Sequence, residues 1–191
     1  MTAANGAKTD PTGVTFISYR RKRLEEAKLL VGAQHDHGIP TWQDITNLGH
    51  EPTEEELRRV LEDPATGGVL LWVTPEVKDS SVILTIEVPV MKERKDRSDG
   101  FFIVPVAAGG LSYGEAAEIV STHLGLADFA SWNFEKTDED PVSEGEAVRV
   151  AGEVLKDRLG AIDEDLLDAD PFMLGIWTRQ RAPRGSRDSL L

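Results

Sequence analysis

Val69-Leu70-Leu71-Trp72-Val73-Thr74-Pro75, followed closely by Asp79-Ser80-Ser81-Val82-Ile83-Leu84-Thr85-Ile86-Glu87, is the stretch that decides how this chain is read. The first run is short and continuously apolar, which predicts a strand buried on both faces. Thr74-Pro75 ends it, and Asp79-Ser80-Ser81 offers N-cap residues for a helix. Glu87 falls almost two turns into that helix, flanked by Ile83, Leu84, Ile86, Val88 and Val90. A carboxylate in an apolar stretch loses hydration unless it is paired, and that cost makes Glu87 a candidate for chemistry. Taken alone, the window fits better a glutamate at the exposed edge of an amphipathic helix, so its neighbours must decide. Pro89 removes a helical hydrogen bond and predicts a kink or an end to the regular helix.

Working outward, Val14 to Tyr19 is rich in β-branched and aromatic residues and reads as the first strand. Leu24, Ala27, Leu30 and Val31 give a first helix, which Gly38 closes. Ile39-Pro40-Thr41-Trp42 is a short second strand, and a polar loop runs from Gln43 to Pro52. Thr53-Glu54-Glu55-Glu56 is a capping box opening a helix with Leu57, Val60 and Leu61 on its buried stripe, stopped before Pro64. Gly67-Gly68 leads into the central strand.

Downstream, Lys92 to Gly100 reads as a charged turn and Phe101 to Val106 as another buried strand. Gly114 to Leu124 is a helix, and Phe129-Ala130-Ser131-Trp132 a last short strand. Ser143 to Glu146 is a second capping box, opening a helix that ends near Gly160. Strands alternate with helices and are apolar throughout, which predicts an open, mostly parallel α/β sheet covered on both faces. Ligands in such sheets bind at the carboxyl ends of strands. Here those ends are Tyr19-Arg20, Trp42-Gln43-Asp44 and Thr74-Pro75.

With 191 residues, 40% of them apolar, the chain can build one domain with a proper core. Residues 1–13 read as a disordered leader, 14–160 as the domain, and 161–191 as an acidic linker with the start of a further module around Phe172 to Thr178. There is no cysteine, which excludes disulfides, thiolate catalysis and zinc–thiolate sites. No apolar run is long enough to span a bilayer and no secretory signal opens the chain, so a cytoplasmic location is the simplest expectation. The net charge of −13 disfavours direct DNA binding.

The usual phosphate-binding glycine motifs and the nucleophile elbow are missing. His35 and His37 are two apart and point to different sides of a helix, so no metal is expected there. What remains is Tyr19, Arg20, Arg21, Trp42, Asp44, Ser81 and Glu87 at one edge of the sheet. Arginine suits phosphate, aromatic rings pack on a flat heterocycle, and one carboxylate can stabilise a developing oxocarbenium ion. Together they suggest a nucleotide sugar whose glycosidic bond is broken.

Phe16-Ile17-Ser18-Tyr19-Arg20-Arg21 resembles the opening strand motif of Toll/interleukin receptor (TIR) domains. Ile39-Pro40-Thr41-Trp42-Gln43-Asp44 with Leu48-Gly49 is similar to the family's second strand and BB loop. Val73-Thr74-Pro75 with Ser81, Ile83 and Glu87 resembles its third strand and glutamate helix, Ile83 standing where an aromatic is usual. Phe101-Phe102-Ile103-Val104-Pro105-Val106 is similar to its fourth strand. The resemblance implies a flavodoxin-like fold with a five-stranded sheet and helices on both faces. For the bacterial NAD⁺-cleaving members it implies cleavage of the nicotinamide–ribose bond. Glu87 would then be catalytic, and Tyr19, Arg20, Trp42, Asp44, Ser81 and Ile83 would bind substrate. NAD⁺ is substrate rather than cofactor, and no metal is implied. The resemblance also implies self-assembly through the BB loop and a role in anti-phage NAD⁺ depletion. Ile176-Trp177-Thr178-Arg179-Gln180-Arg181 is similar to the start of SAVED domains, sensors of cyclic oligonucleotides in CBASS defence. Two other expectations stand beside this one: a non-catalytic TIR scaffold, and an enzyme like the nucleoside deoxyribosyltransferases.

Overall fold

The computed structural model describes residues 9–10, 12–43, 53–97, 100–126 and 135–160. Asp44 and the loop to residue 52, the strand expected over Phe129 to Trp132, and everything from residue 161 lie outside these. Strand β1 spans Val14–Ser18, and a 3-10 turn over Arg21–Arg23 leads into helix α1, Leu24–Asp36. Strand β2 is Thr41–Trp42, helix α2 is Glu54–Glu62, and β3 is Thr66–Val73. A π-helical turn over Ile83–Glu87 runs into α3, Val88–Asp96. Then come β4 at Phe102–Ala107, α4 at Tyr113–Glu118, β5 at Glu135–Lys136 and α5 at Glu144–Gly160.

The five strands among the described residues are ordered β2-β1-β3-β4-β5, and every adjacent pair is parallel. This is the flavodoxin-like winding, and its direction reverses between β1 and β3, where such sheets hold ligands. All eight residues of β3 are buried, as a strand covered on both faces requires. Alternation along the strands sorts the core. Phe16, Val69, Leu71 and Val73 pack with Leu57, Leu61, Ile83, Ile86 and Met91 on one face. Ile17, Leu70, Trp72, Val104 and Val106 pack with Leu30, Val150 and Val154 of α1 and α5 on the other.

Local chemistry accounts for most element ends. Gly38, after α1, sits at φ 74°, where a side chain would be strained. The Thr53 box is reciprocal: Glu56 N–H donates to Thr53 Oγ1 (3.1 Å) and Thr53 N–H to Glu56 Oε2 (2.8 Å). Ser112 and Glu115 form the same box before α4. At α5 only half of the expected box forms. Ser143 Oγ accepts from Glu146 N–H, but the Glu146 carboxylate accepts from Asp138 N–H and Arg149 instead.

Three further expectations are corrected. Strand β3 starts at Thr66 rather than after Gly67-Gly68, because Gly68 lies against Phe102, where a Cβ would come within 2.5 Å of the ring. The supposed charged turn from Lys92 is helical as far as Asp96, and Arg94 within it is buried. Thr9 and Asp10, in the stretch read as leader, are held in place. Arg94 Nη2 donates to Thr9 Oγ1 (2.7 Å), and Asp10 N–H donates to the Pro64 carbonyl (2.9 Å).

Gln34 in α1 has no exposed surface, and among the described residues neither its amide nitrogen nor its amide oxygen has a hydrogen-bond partner. An unsatisfied buried polar group costs about 1–3 kcal/mol. Gln34→Met keeps the length and helix propensity while removing both orphan atoms. It should raise stability by about 1 kcal/mol, read as a higher urea midpoint with unchanged slope. An unchanged or lower midpoint would show that the amide is solvated in place.

Candidate functional site

Glu87 is placed by a change of helical register. In the turn over Ile83–Glu87 the Val88 N–H reaches the Ile83 carbonyl, five residues back, and regular α-helix starts at Val88 with Pro89 in its first turn. Pro89 has no N–H to give and is tolerated there, so the interruption expected from it takes the form of a π-turn. Ser80 caps the segment weakly, its Oγ accepting from Ile83 N–H at 3.4 Å.

This geometry turns Glu87 inward. The residue is only 5% exposed, which removes the reading of a solvated helix edge. Its Oε2 accepts a hydrogen bond from Ser18 Oγ at 2.5 Å, joining the π-turn to the last residue of β1. Ser18 itself is 1% exposed. Phe16 and Ser18 share one strand face by alternation, and the π-turn packs on that face.

A cleft of about 240 Å³ opens at this point, lined by Tyr19, Arg20 and Arg21 after β1, Leu57 of α2, Ser80 and Val82, Ile83 and Glu87 of the π-turn, with Phe16 and Ile17 at its base. It lies at the carboxyl end of β1, beside the reversal of strand order. Arg20 Nε is buried there and has no hydrogen-bond partner among the described residues. A guanidinium nitrogen removed from water and unpaired suits an anionic group of a ligand.

The expected residues therefore separate. Glu87, Tyr19, Arg20 and Ile83 share the cleft. Trp42 does not line it but stacks on Phe16, with ring centroids 4.9 Å apart and planes 14° apart, buttressing its base from β2. Ser81 is exposed and not part of the lining, while its neighbour Ser80 is buried and is. Asp44 lies outside the described residues.

Arg23, three residues after Arg20, has a different task. Arg23 donates to Glu26 Oε1 (2.8 Å) and Asp140 Oδ1 (2.7 Å), and Glu26 Oε2 accepts from Trp72 Nε1 (3.0 Å). Burial works against the Arg23 charge, but these hydrogen bonds outweigh it and hold its pKa above the ordinary arginine value. Arg23 is thus part of the scaffold. His35 Nε2 contacts Thr41 Oγ1 and His37 Nδ1 contacts the Ala33 carbonyl, each at 2.8 Å, so the two histidines serve separate local contacts. Among the described residues, no three His, Asp or Glu side chains are grouped to hold a metal, and no helix is long and apolar enough to cross a membrane.

Parallel flavodoxin-like topology and a carboxylate-bearing cleft at the sheet's switch point define the class of this protein. No protein-family model and no curated protein matches the chain. Among solved structures it is similar to a chain in the crystal structure of the RPS4 and RRS1 TIR domain heterodimer. The identity is 15% and the TM-score 0.48, over 77% of this chain and 98% of that one.

Proposed function

We propose that this chain is a TIR-type NAD⁺ glycohydrolase. The observation that carries the reading is the buried Glu87 carboxylate, held by Ser18 and facing the same cleft as the orphan Arg20 nitrogen. The nicotinamide of NAD⁺ is a cationic leaving group and needs no proton to depart. The C1′–N bond breaks with its electron pair passing to nicotinamide, and positive charge develops on the ribose. Glu87, fixed in a site of low dielectric, stabilises that charge. Water then attacks C1′ and gives up a proton, to Glu87 or to solvent. Arg20 binds a phosphate of the dinucleotide, while Tyr19 and Ile83 bound the pocket.

On this reading residues 14–160 form the catalytic domain, and 161–191 form a linker and the start of a module of the kind that senses cyclic oligonucleotides. The chain works in the cytoplasm, assembles with copies of itself through the loop after β2, and depletes NAD⁺ in defence against phage. The test is release of nicotinamide from NAD⁺ by purified chain at high concentration. Turnover of a nucleoside but not NAD⁺ would favour a deoxyribosyltransferase-like enzyme. Concentration-dependent assembly without turnover would favour a scaffold.

Arg20→Ala should raise KM for NAD⁺ about 10- to 100-fold and leave kcat within a few-fold, as expected when a charge-assisted hydrogen bond serves binding alone. Steady-state kinetics check this, and an unchanged KM would remove Arg20 from the phosphate site.

A further inference from the structure

We infer that Ser18 is a positioning residue for Glu87, its hydroxyl fixing the carboxylate that lines the cleft. The inference rests on the glycohydrolase reading for its catalytic meaning and on the 2.5 Å Ser18–Glu87 hydrogen bond for its geometry. Both residues are almost fully buried, at 1% and 5% exposure. They stand on different elements, the end of β1 and a π-turn, so the bond fixes the carboxylate relative to the sheet.

The chemistry favours a hydroxyl at this point. A buried carboxylate needs a donor to offset lost hydration. A hydrogen bond to the ionised form favours that form. A hydroxyl gives this while adding no positive charge of its own, so it does not oppose the cation forming on the ribose. The anion is held in place before the reaction and needs no reorganisation during it. Among the described residues, the titratable groups sharing the cleft with Glu87 are Tyr19, Arg20 and Arg21, all from the segment after β1. The lining residues from α2 and from the stretch before the π-turn, Leu57, Ser80 and Val82, carry no charge.

The test compares wild type, Ser18→Ala, Ser18→Thr and Glu87→Gln, each confirmed folded by its thermal transition. Ser18→Ala should lower kcat about tenfold with KM within about twofold, and move the acid limb of the pH–rate profile to higher pH. Ser18→Thr, which keeps the hydroxyl, should recover most of kcat. Independently of turnover, the carboxyl ¹³C resonance of Glu87 should titrate at higher pH in Ser18→Ala than in wild type. If wild type turns over NAD⁺ and Glu87→Gln does not, but Ser18→Ala matches wild type in kcat and in titration, the inference about Ser18 fails alone. If nothing turns over NAD⁺, the glycohydrolase reading fails, and the Glu87 titration still decides whether Ser18 holds the carboxylate.

Discussion

Glu87→Gln should abolish NAD⁺ cleavage, lowering kcat by about 10³-fold or more, while the protein remains folded. The expectation follows from what the substitution keeps. Glutamine has nearly the volume of glutamate, so the packing of Ile83, Ile86 and Val88 around the π-turn is undisturbed. Its amide oxygen can still accept from Ser18. What is lost is the negative charge, and that charge is what stabilises an oxocarbenium ion in a buried site. The effect therefore belongs in kcat, with KM changing little, because the charge matters most once the ribose becomes cationic. Single-turnover nicotinamide release separates chemistry from product release. A variant with more than a tenth of wild-type kcat would remove Glu87 from the catalytic role. A variant that also unfolds at assay temperature would indicate that the charge holds the fold, and Glu87→Asp would then serve as the second probe.

The sequence announces this site unevenly, for physical reasons. Strand β3 and the strand β4 beside it are short continuous apolar runs rich in β-branched and aromatic residues, a length and composition that favour buried strands over helices. The capping boxes at Thr53 and Ser112 follow from side-chain chemistry alone, although only the first was read from the sequence. Glu87 stood out because it interrupts an apolar stretch. Ser18 did not, since a serine among apolar strand residues gives no sign of what faces it across the sheet. Its partner lies 69 residues away, brought near by the β1–β3 pairing and by a register change that periodicity does not reveal. Alternation along β1 was the available signal, as it sets Ser18 on the face of Phe16 and thus under the Glu87 helix. Ser81 was preferred over Ser80 by motif spacing. The strand end and the first helical turn orient Ser80 inward instead. Trp42 read as an aromatic wall; its actual partner is Phe16, reached through parallel pairing of β1 with β2.

Arg94→Ala should cost about 3 kcal/mol of stability although the residue does not line the cleft. Arg94 looks like one charge among many in Lys92-Glu93-Arg94-Lys95-Asp96, yet it is only 1% exposed. Its stem packs in the core and its head finds polar partners, as long cationic side chains can. Nη1 donates to the Leu61 carbonyl (2.7 Å) and the Asp63 carbonyl (3.0 Å), closing the end of α2, whose last carbonyls have no helical donors. Nη2 donates to Thr9 Oγ1 (2.7 Å), tying down the segment before β1, and the guanidinium lies 4.2 Å from the Phe101 ring centroid. One side chain thus joins α2, α3, the start of β4 and the N-terminal segment. Alanine leaves the buried Leu61 carbonyl unsatisfied and opens a cavity where the stem was. Lysine keeps the charge but lacks the planar fork that spans both carbonyls and Thr9, so Arg94→Lys should still lose about 2 kcal/mol. Urea unfolding of the three proteins measures both differences. A loss below about 1 kcal/mol in Arg94→Ala would mean that water replaces the guanidinium at the helix end. A lysine variant equal to wild type would mean that charge, rather than fork geometry, holds these four elements together.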